Sequence, residues 1–396
     1  MRILLVVPNV VSYRVFLAEL SARLHSAGHE IHVACSPHTL FGHEAPPDPS
    51  TTVHPVTFPR GMNPLGHLRA ARELSALVAR LQPDVIHAHF SAALFTTALA
   101  SRSSWPVTLG TYHGMSFPLM PGLKGRVLRV AECWTATRFD HVWVLTNDDR
   151  EALRVSVPSA RVSVHRSAGI GCSLDQFHPD RVSANERTAL RAEHGLKPDE
   201  CVFVFVGRFA DFKGFGLTVR AFLKLAHKHP KLRLLLVGSA DPIHPTGLTP
   251  EEETARAGCA QIVEAGHRSD VWRYLAISDA MVFPSRREGM PVCTMEAIAM
   301  GVPVITSDSR GCRDTVRDGV DGFVLREATL DAMTTAMTKL ATDPDLRRQM
   351  SAAALAGRER FSRDAYIREQ IGIYESQVAP QGSIEATGAL ADTHGH

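Results

Sequence analysis

Residues 280–306 constrain the fold more than any other stretch of this chain. Ala280 to Pro284 is a short apolar strand, and Ser285-Arg-Arg-Glu-Gly-Met-Pro291 is a turn. A helical pattern then runs from Val292 to Gly301, where the glycine ends it, and Val302 to Thr306 is a β-branched strand. Strand, turn, helix and strand form a βαβ-like unit whose helix N-terminus can hold an anion.

Strand and helix patterns alternate in this way twice along the chain, which predicts two α/β domains with mainly parallel sheets. In the first half we expect strands at Ile3–Val7, Ile31–Cys35, Asp84–Ala88, Val107–Gly110 and His141–Leu145. Between them lie helices at Val15–Ala27, Leu65–Leu81 and Lys124–Phe139, and a Pro- and His-rich loop from Pro37 to Pro59 with room for one short strand. The character turns charged and helical around Pro179–Lys197, and Val202–Val206 starts a second series. That series predicts helices at Leu217–His229, Glu251–Glu264 and Trp272–Ser278 and strands at Leu232–Val237 and Ala280–Pro284. The expected architecture is two Rossmann-like domains, residues 1–180 and 181–362, with a cleft between them. Ligands of such sheets bind beyond the carboxyl ends of the strands. A helix at Arg363–Tyr374 follows, and residues 379–396, poor in large apolar side chains, are expected to be a disordered tail.

Two loops carry the chemistry. Glu288 precedes the helix of the βαβ unit and Glu296 lies about one and a half turns inside it. At about 1.5 Å of rise per residue the carboxylates stand several Å apart, the span of a diphosphate. One could hold the hydroxyls of one sugar and the other those of a second, with phosphates between them on backbone N–H groups. A nucleotide-sugar has that shape. The second loop, Gly207-Arg208-Phe-Ala-Asp-Phe-Lys213-Gly214, follows the strand Val202–Val206. Glycine lets backbone approach a ligand, while Arg offers a bidentate fork and Lys a point charge, a set suited to neutralising a diphosphate. Taken singly, each of these residues also reads as an ordinary surface charge.

Together the motifs resemble the retaining glycosyltransferases with the GT-B fold, and glycosyltransferase family 4 in particular. Glu288 and Glu296 match that family's Glu-x7-Glu motif, and Arg208 and Lys213 its Gly-Arg…Lys-Gly motif. The resemblance implies that Arg208 and Lys213 bind the donor diphosphate, Glu288 orients the donor sugar and Glu296 grips the ribose. Gly207, Gly289, Met290, Pro291 and Val292 would line the donor, with Arg268 in the segment Gly266–Val271 that passes the nucleobase. His113, in Thr111-Tyr-His-Gly114 after a strand, matches a family histidine near the reacting sugar. The catalytic set is thus His113, Arg208, Lys213 and Glu288. Gly169-Ile-Gly-Cys-Ser-Leu-Asp-Gln-Phe-His-Pro179 resembles the domain junction, with Cys172-Ser173 departing from the usual pair. The final helix would cross back onto the N-terminal domain. Many family members have a Gly-Gly turn after the first strand; this chain has Pro8-Asn-Val-Val-Ser-Tyr-Arg14 instead, so Asn9, Ser12 and Arg14 would supply acceptor-side contacts.

Composition narrows the partners. A formal net charge of +2 in 396 residues carries no polyanion-binding signature, so nucleic acid is not expected. The 7 cysteines are scattered without a C-x-x-C pair, which fits a reducing cytosol and gives no zinc site. His87 and His89 have no carboxylate or cysteine at ligand spacing, and we read them as structural or cleft-lining. No metal or cofactor is expected. No apolar run reaches the roughly 20 residues of a membrane span, which predicts a cytoplasmic protein with at most peripheral membrane contact at the inner face. Lys124, Arg126 and Arg129 beside Leu123, Val127, Leu128 and Val130 admit two readings: a face resting on anionic lipid, or an amphipathic core helix with solvated arginines.

The function this predicts is transfer of a hexose or N-acetylhexosamine, with retention, from a nucleotide-diphospho-sugar to an acceptor hydroxyl. UDP is favoured over GDP, and the acceptor is expected to be a lipid-linked saccharide in surface polysaccharide assembly. The alternatives are a natural-product or small-molecule glycosyltransferase, and a non-catalytic sugar-nucleotide-binding protein.

Overall fold

The computed structural model describes residues 1–36, 38–39, 42–43, 51–59, 61, 63–120 and 122–378. The expected tail at 379–396 lies outside them, as do residues 37, 40–41 and 44–50 of the Pro- and His-rich loop. The first half runs β1 (Arg2–Asn9), α1 (Val10–Phe16), α2 (Ala18–Ser26), β2 (Glu30–Ser36), β3 (His38–Thr39), β4 (Gly42–His43), β5 (Thr52–Pro55), α3 (Pro64–Leu81), β6 (Val85–His89), α4 (Ser91–Ala100), β7 (Val107–Tyr112), α5 (Gly122–Ala136), β8 (His141–Val144), α6 (Asn147–Ser156) and β9 (Val162–Val164). The second runs α7 (Ala184–Glu193), β10 (Cys201–Val206), α8 (Phe215–Ala226), β11 (Leu232–Val237), α9 (Pro250–Gly258), β12 (Ile262–Gly266), α10 (Val271–Leu275), β13 (Ala280–Phe283), α11 (Val292–Ala299), β14 (Val304–Ser307), β15 (Gly322–Leu325), α12 (Leu330–Thr342) and α13 (Pro344–Ala356). A last helix, α14 (Arg363–Val378), follows.

Each half is built on one parallel sheet. The first has the order β5-β2-β1-β6-β7-β8-β9 and the second β12-β11-β10-β13-β14-β15. Central strands such as Val202–Val206 and Ile3–Val7 are apolar on both faces because helices cover both sides. In each sheet the chain first builds outward on one flank and then returns to the other, so the order reverses between β1 and β6 and again between β10 and β13. A crevice opens at the carboxyl end of such a reversal, because the two neighbouring strands send their connections to opposite faces.

Two expectations need correction, and two strands lie outside what the sequence pattern predicts. The first helix starts at Val10, with Asn9 capping it through a 2.9 Å bond from Ser12 N, and it breaks at Leu17. The helix expected over Glu251–Glu264 ends at Gly258, and Ile262–Gly266 is the edge strand β12 beside β11. The sheet supplies backbone partners to the β-branched pair Ile262-Val263, which outweighs helical periodicity. The edge strands β9 and β15 carry too weak an alternation to have been read.

The halves are tied by two chain crossings. Cys172 N donates to Phe361 O (2.9 Å) and Arg363 N to Cys172 O (3.1 Å), so the outward and returning segments pair at the junction. Beyond it α14 lies on the first sheet. Tyr366, Ile367 and Tyr374 are buried in the same core as Ile3, Leu5 and Val7. Glu369 accepts from Arg166 N (3.0 Å) and Ser167 N (3.2 Å), and burial notwithstanding, these bonds and His165 hold its pKa down at about 2.

α5 turns its apolar stripe outward. At 100° per residue Leu123, Val127, Val130 and Trp134 share one face, and all are exposed, Leu123 by 77% and Val130 by 71%. Lys124 and Arg126 flank that stripe, Arg129 lies farther round the helix, and all three are exposed as well. On the opposite face Glu132 is buried; its carboxylate accepts from Ser91 Oγ (2.7 Å), Ser116 N (3.1 Å) and Phe117 N (3.0 Å). The arginines of α5 are solvated, as one reading had it, but the side chains turned to the core are Gly125, Glu132, Thr135 and Ala136 rather than the apolar stripe.

Candidate active site

The loops that follow the strands on either side of the second reversal, Gly207–Gly214 after β10 and Pro284–Pro291 after β13, close over one cavity of about 450 Å³. Arg208, Phe212, Lys213, Arg287, Glu288 and Gly289 line it from this half. Phe90, His113, Gly114, Met115 and Ser116 line it from the other, at the carboxyl ends of β6 and β7. The cavity is thus the cleft between the sheets.

Backbone geometry sets this floor. Gly207 holds a φ of +148° and Gly214 one of +77°; a Cβ on Gly214 would stand 2.5 Å from the Pro284 carbonyl oxygen. Only glycine allows the Arg208–Lys213 loop to fold that tightly against the β13 loop. Gly289 is crowded from both sides: its Cβ would fall 2.1 Å from His113 O, and a Cβ on Gly311 would fall 2.2 Å from Gly289 O.

The charges are arranged by specific partners. Lys213 Nζ lies 2.6 Å from Glu288 Oε1, which also accepts from Ser285 Oγ at 2.7 Å. Arg208, exposed, is paired through Nη1 with the buried Asp241. Its guanidinium and the Lys213 ammonium stand 5.5 and 5.6 Å from the Phe212 ring centroid, so one aromatic ring steadies both cations. Arg287 makes no hydrogen bond or ion pair through its side chain among the described residues. The N-cap of α11 is Pro291, which has no side chain able to cap, so the first N–H groups of that helix are left for a ligand. The carboxylate of Glu296, one and a half turns in, has no hydrogen-bond partner among the described residues. Burial raises its pKa to about 7, against the opposing pull of Arg363.

His113 stands at the end of β7 in a row of rings. It stacks on Phe90 (centroids 4.2 Å, 19°), and its Nε2 lies 3.1 Å from His89 Nδ1. Burial lowers its pKa to about 3, so it is a neutral imidazole. Its Nδ1 has no partner among the described residues. Phe90 itself holds φ +71°, strained backbone that the stacking helps to maintain. His87 is committed to Tyr374 OH (2.6 Å) and Thr111 Oγ1 (2.8 Å). Among the described residues no group of three or more His, Cys, Asp or Glu is placed to hold a metal.

Of the residues singled out from sequence, His113, Arg208, Lys213, Glu288 and Gly289 meet at the cavity. Met290 packs on Gly169 at the junction, and Val292 touches the cores of both halves. Arg268 is set apart: its Nε binds Ala265 O (2.8 Å) and its guanidinium lies over Tyr274, outside the cavity lining. Asn9 and Ser12 engage each other as a helix cap, and Arg14 is exposed on α1; none of the three lines this cavity. Sequence reading passed over His244 and its partner Asp241, in the loop after β11, and Arg287 and Arg310. The rule that ligands gather beyond strand ends covered the first pair, and Arg287 sits inside the motif already marked. Arg310 reaches across from the second half to Asp149 and to Met115 O (2.6 Å) in the first.

Comparison with known proteins accords with this geometry. Residues 186–356 match the family described as Glycosyl transferases group 1, and residues 13–167 that described as Glycosyl transferase 4-like domain. The chain belongs to the group 1 glycosyltransferases. EpsD of Bacillus subtilis strain 168, assigned as a glycosyltransferase, is 26% identical over 79% of this chain and 81% of its own length. The UDP-Gal:α-D-GlcNAc-diphosphoundecaprenol α-1,3-galactosyltransferase of Escherichia coli is 25% identical over 72% of this chain and 74% of its own. HepE of Anabaena, solved with UDP and glucose, superposes with a TM-score of 0.76 over 95% of this chain and 99% of its own, at 19% identity. The fold is GT-B, two Rossmann-like domains facing across a cleft.

Proposed function

We propose that this glycosyltransferase moves a hexosyl or N-acetylhexosaminyl unit from a UDP-sugar, with retention, to a hydroxyl of a lipid-linked saccharide in surface polysaccharide assembly. The observation that carries the reading is the meeting of Arg208, Lys213 and Glu288 with the uncapped start of α11 at one strand-order reversal, opposite His113. As the bond from C1 to the β-phosphate oxygen breaks, its electron pair passes to the phosphate. Arg208, Lys213 and the α11 N–H groups stabilise that charge, each contact contributing about 3 kcal/mol, with no metal or cofactor required. The acceptor oxygen bonds to C1 from the same face and its proton passes to the departing phosphate. Glu288, held by Ser285, orients the sugar; neutral His113 offers Nδ1 to a sugar hydroxyl; Glu296 takes the ribose hydroxyls. The E. coli relative's name supports the UDP-sugar and the lipid-diphosphate acceptor, and HepE's bound UDP supports the base.

The outward apolar stripe of α5 with its basic flanks fits an anionic bilayer surface. Through Glu132 the same helix holds Ser116, which lines the cavity, so a lipid-linked acceptor would enter beside it. On this reading the protein works at the cytoplasmic face of the membrane. Among the described residues no helix is long and apolar enough to cross one.

The test pairs a thermal-shift panel of uridine and guanosine sugar nucleotides with nucleotide release in the presence of lipid-diphosphate saccharides. Stabilisation by UDP-sugars and acceptor-dependent release of UDP are expected, with NMR of the product showing the donor's anomeric configuration. Binding without acceptor-dependent release sinks the transfer reading, and an inverted product sinks retention.

A further inference from the structure

The loop after β11 enters the donor cavity with a histidine that the mechanism above does not use. Loops 207–214 and 238–249 are zipped by backbone bonds, Phe209 N to Ser239 O (2.8 Å) and Asp211 N to Pro245 O (2.8 Å). Asp241 sits between them with its side chain 1% exposed. Its Oδ1 accepts from Ile243 N (2.9 Å) and His244 N (3.2 Å), which fixes the loop, while Oδ2 meets both Arg208 and His244 Nδ1, the latter at 3.1 Å. One buried carboxylate therefore orients two cavity-lining groups at once. The His244 ring stands edge-on to Phe212 (5.0 Å, 72°), the same ring that steadies Arg208 and Lys213.

With Nδ1–H donated to Asp241, the other nitrogen, Nε2, is left without a partner among the described residues, in a side chain 45% exposed in the cavity wall. A neutral imidazole would present a lone pair there, whereas an imidazolium presents N–H. We propose that His244, aligned by Asp241, is a third cationic contact to the donor diphosphate, protonated at Nε2 when the sugar nucleotide binds. The proposal rests on the donor reading of this cavity. Asp241 is a positioning residue, acting through Arg208 and His244.

The consequence is linked proton uptake. A diphosphate that accepts from Nε2 favours the charged imidazole, so binding draws a proton and affinity falls as pH rises. The charged and titratable groups around His244 are Asp241 and Arg208 on its own side and, around the cavity, Lys213, Arg287, Glu288, Arg310 and His113. Glu296 acts with the opposite sign, since ribose hydroxyls favour its ionised form and release a proton.

Isothermal titration of UDP-glucose and GDP-mannose in buffers of different ionisation enthalpy, from pH 5.5 to 8.5, reads this directly, because the diphosphate diester of either probe keeps a constant charge over that range. His244→Gln is expected to bind the wild-type's preferred probe within a few-fold at pH 8.5, to lose the tightening toward low pH, and to take up fewer protons per ligand than wild type by up to one. Asp241→Asn should lose the same uptake and weaken binding at every pH by freeing Arg208. Proton uptake unchanged in His244→Gln overturns the proposal even with tight binding. If neither probe binds the wild-type protein, the donor reading falls and the proposal falls with it.

Discussion

Lys213 Nζ and Glu288 Oε1 lie 2.6 Å apart, so the cation assigned to the leaving phosphate is held by the carboxylate assigned to the sugar. Both are mostly buried, 18% and 11% exposed at the side chain, and neither can be removed without stranding the other. On the proposed donor pose the ammonium would be shared between Glu288 and a phosphate, which would fix sugar and phosphate relative to one another.

Removing Lys213 or Arg208 leaves a buried carboxylate, Glu288 or Asp241, without its ion partner, so turnover should fall sharply and some stability should be lost with it. Lys213→Ala and Arg208→Ala are each expected to lower kcat by about 10²–10³-fold. Steady-state kinetics with circular dichroism checks this; an unchanged rate in either variant removes that residue from the mechanism. The double variant should lose less than the product of the two effects, since both act on one phosphate group.

Gly289→Ala tests the closeness of the two halves. Its Cβ would stand 2.1 Å from the His113 carbonyl oxygen, a backbone atom with no easy retreat. We expect activity to fall at least 100-fold, with a Tm lower by several degrees. Gly258→Ala is the control, because nothing lies within 4 Å of a Cβ there and it closes helix α9. Equal activity in both variants would show that the halves do not meet at Gly289.

Glu296 should make the protein less stable as pH rises. Burial lifts its folded pKa from 4.5 to about 7, so the charged form is disfavoured in the folded state. Its contribution is fully present below about pH 4.5 and is lost as pH climbs through about 7. Glu296→Gln should consequently melt a few degrees higher than wild type at pH 8 and nearly level with it at pH 4.5. The same substitution should weaken sugar-nucleotide binding about tenfold by calorimetry. A Tm difference that stays flat across this range would refute the burial argument, and equal affinity would refute the ribose assignment.

The α5 stripe predicts membrane binding that depends on both apolar and basic groups. Leu123→Glu with Val130→Glu should abolish co-sedimentation with vesicles rich in phosphatidylglycerol and leave turnover of a soluble acceptor intact, because both side chains point away from the core. Raising salt should weaken the wild-type interaction by screening Lys124, Arg126 and Arg129. Retained vesicle binding by the double variant would exclude this face.

Much of the fold was legible because parallel strands buried on both faces leave continuous apolar runs, as at Val202–Val206 and Leu232–Val237. Edge strands do not. β12 reads as the end of a helix until β11 supplies its backbone partners, and β9 is three residues long. The cavity cations were legible because glycine and charge are clustered in short loops. A motif gives a segment's place but not the direction of its side chain, and Ala265 and Tyr274 set that direction for Arg268.

By itself the sequence determined the alternation of elements, the two sheets and the chemistry of the loops that follow β10 and β13, since each rests on residues within a few positions of one another. Only the tertiary structure decided that Asp241 joins Arg208 to His244, that Arg310 spans the cleft to Asp149, and that α5 faces its leucine and valines outward. Those relations join residues that are far apart in the chain or depend on which side of a helix meets the core, and neither distance nor facing is written in local pattern.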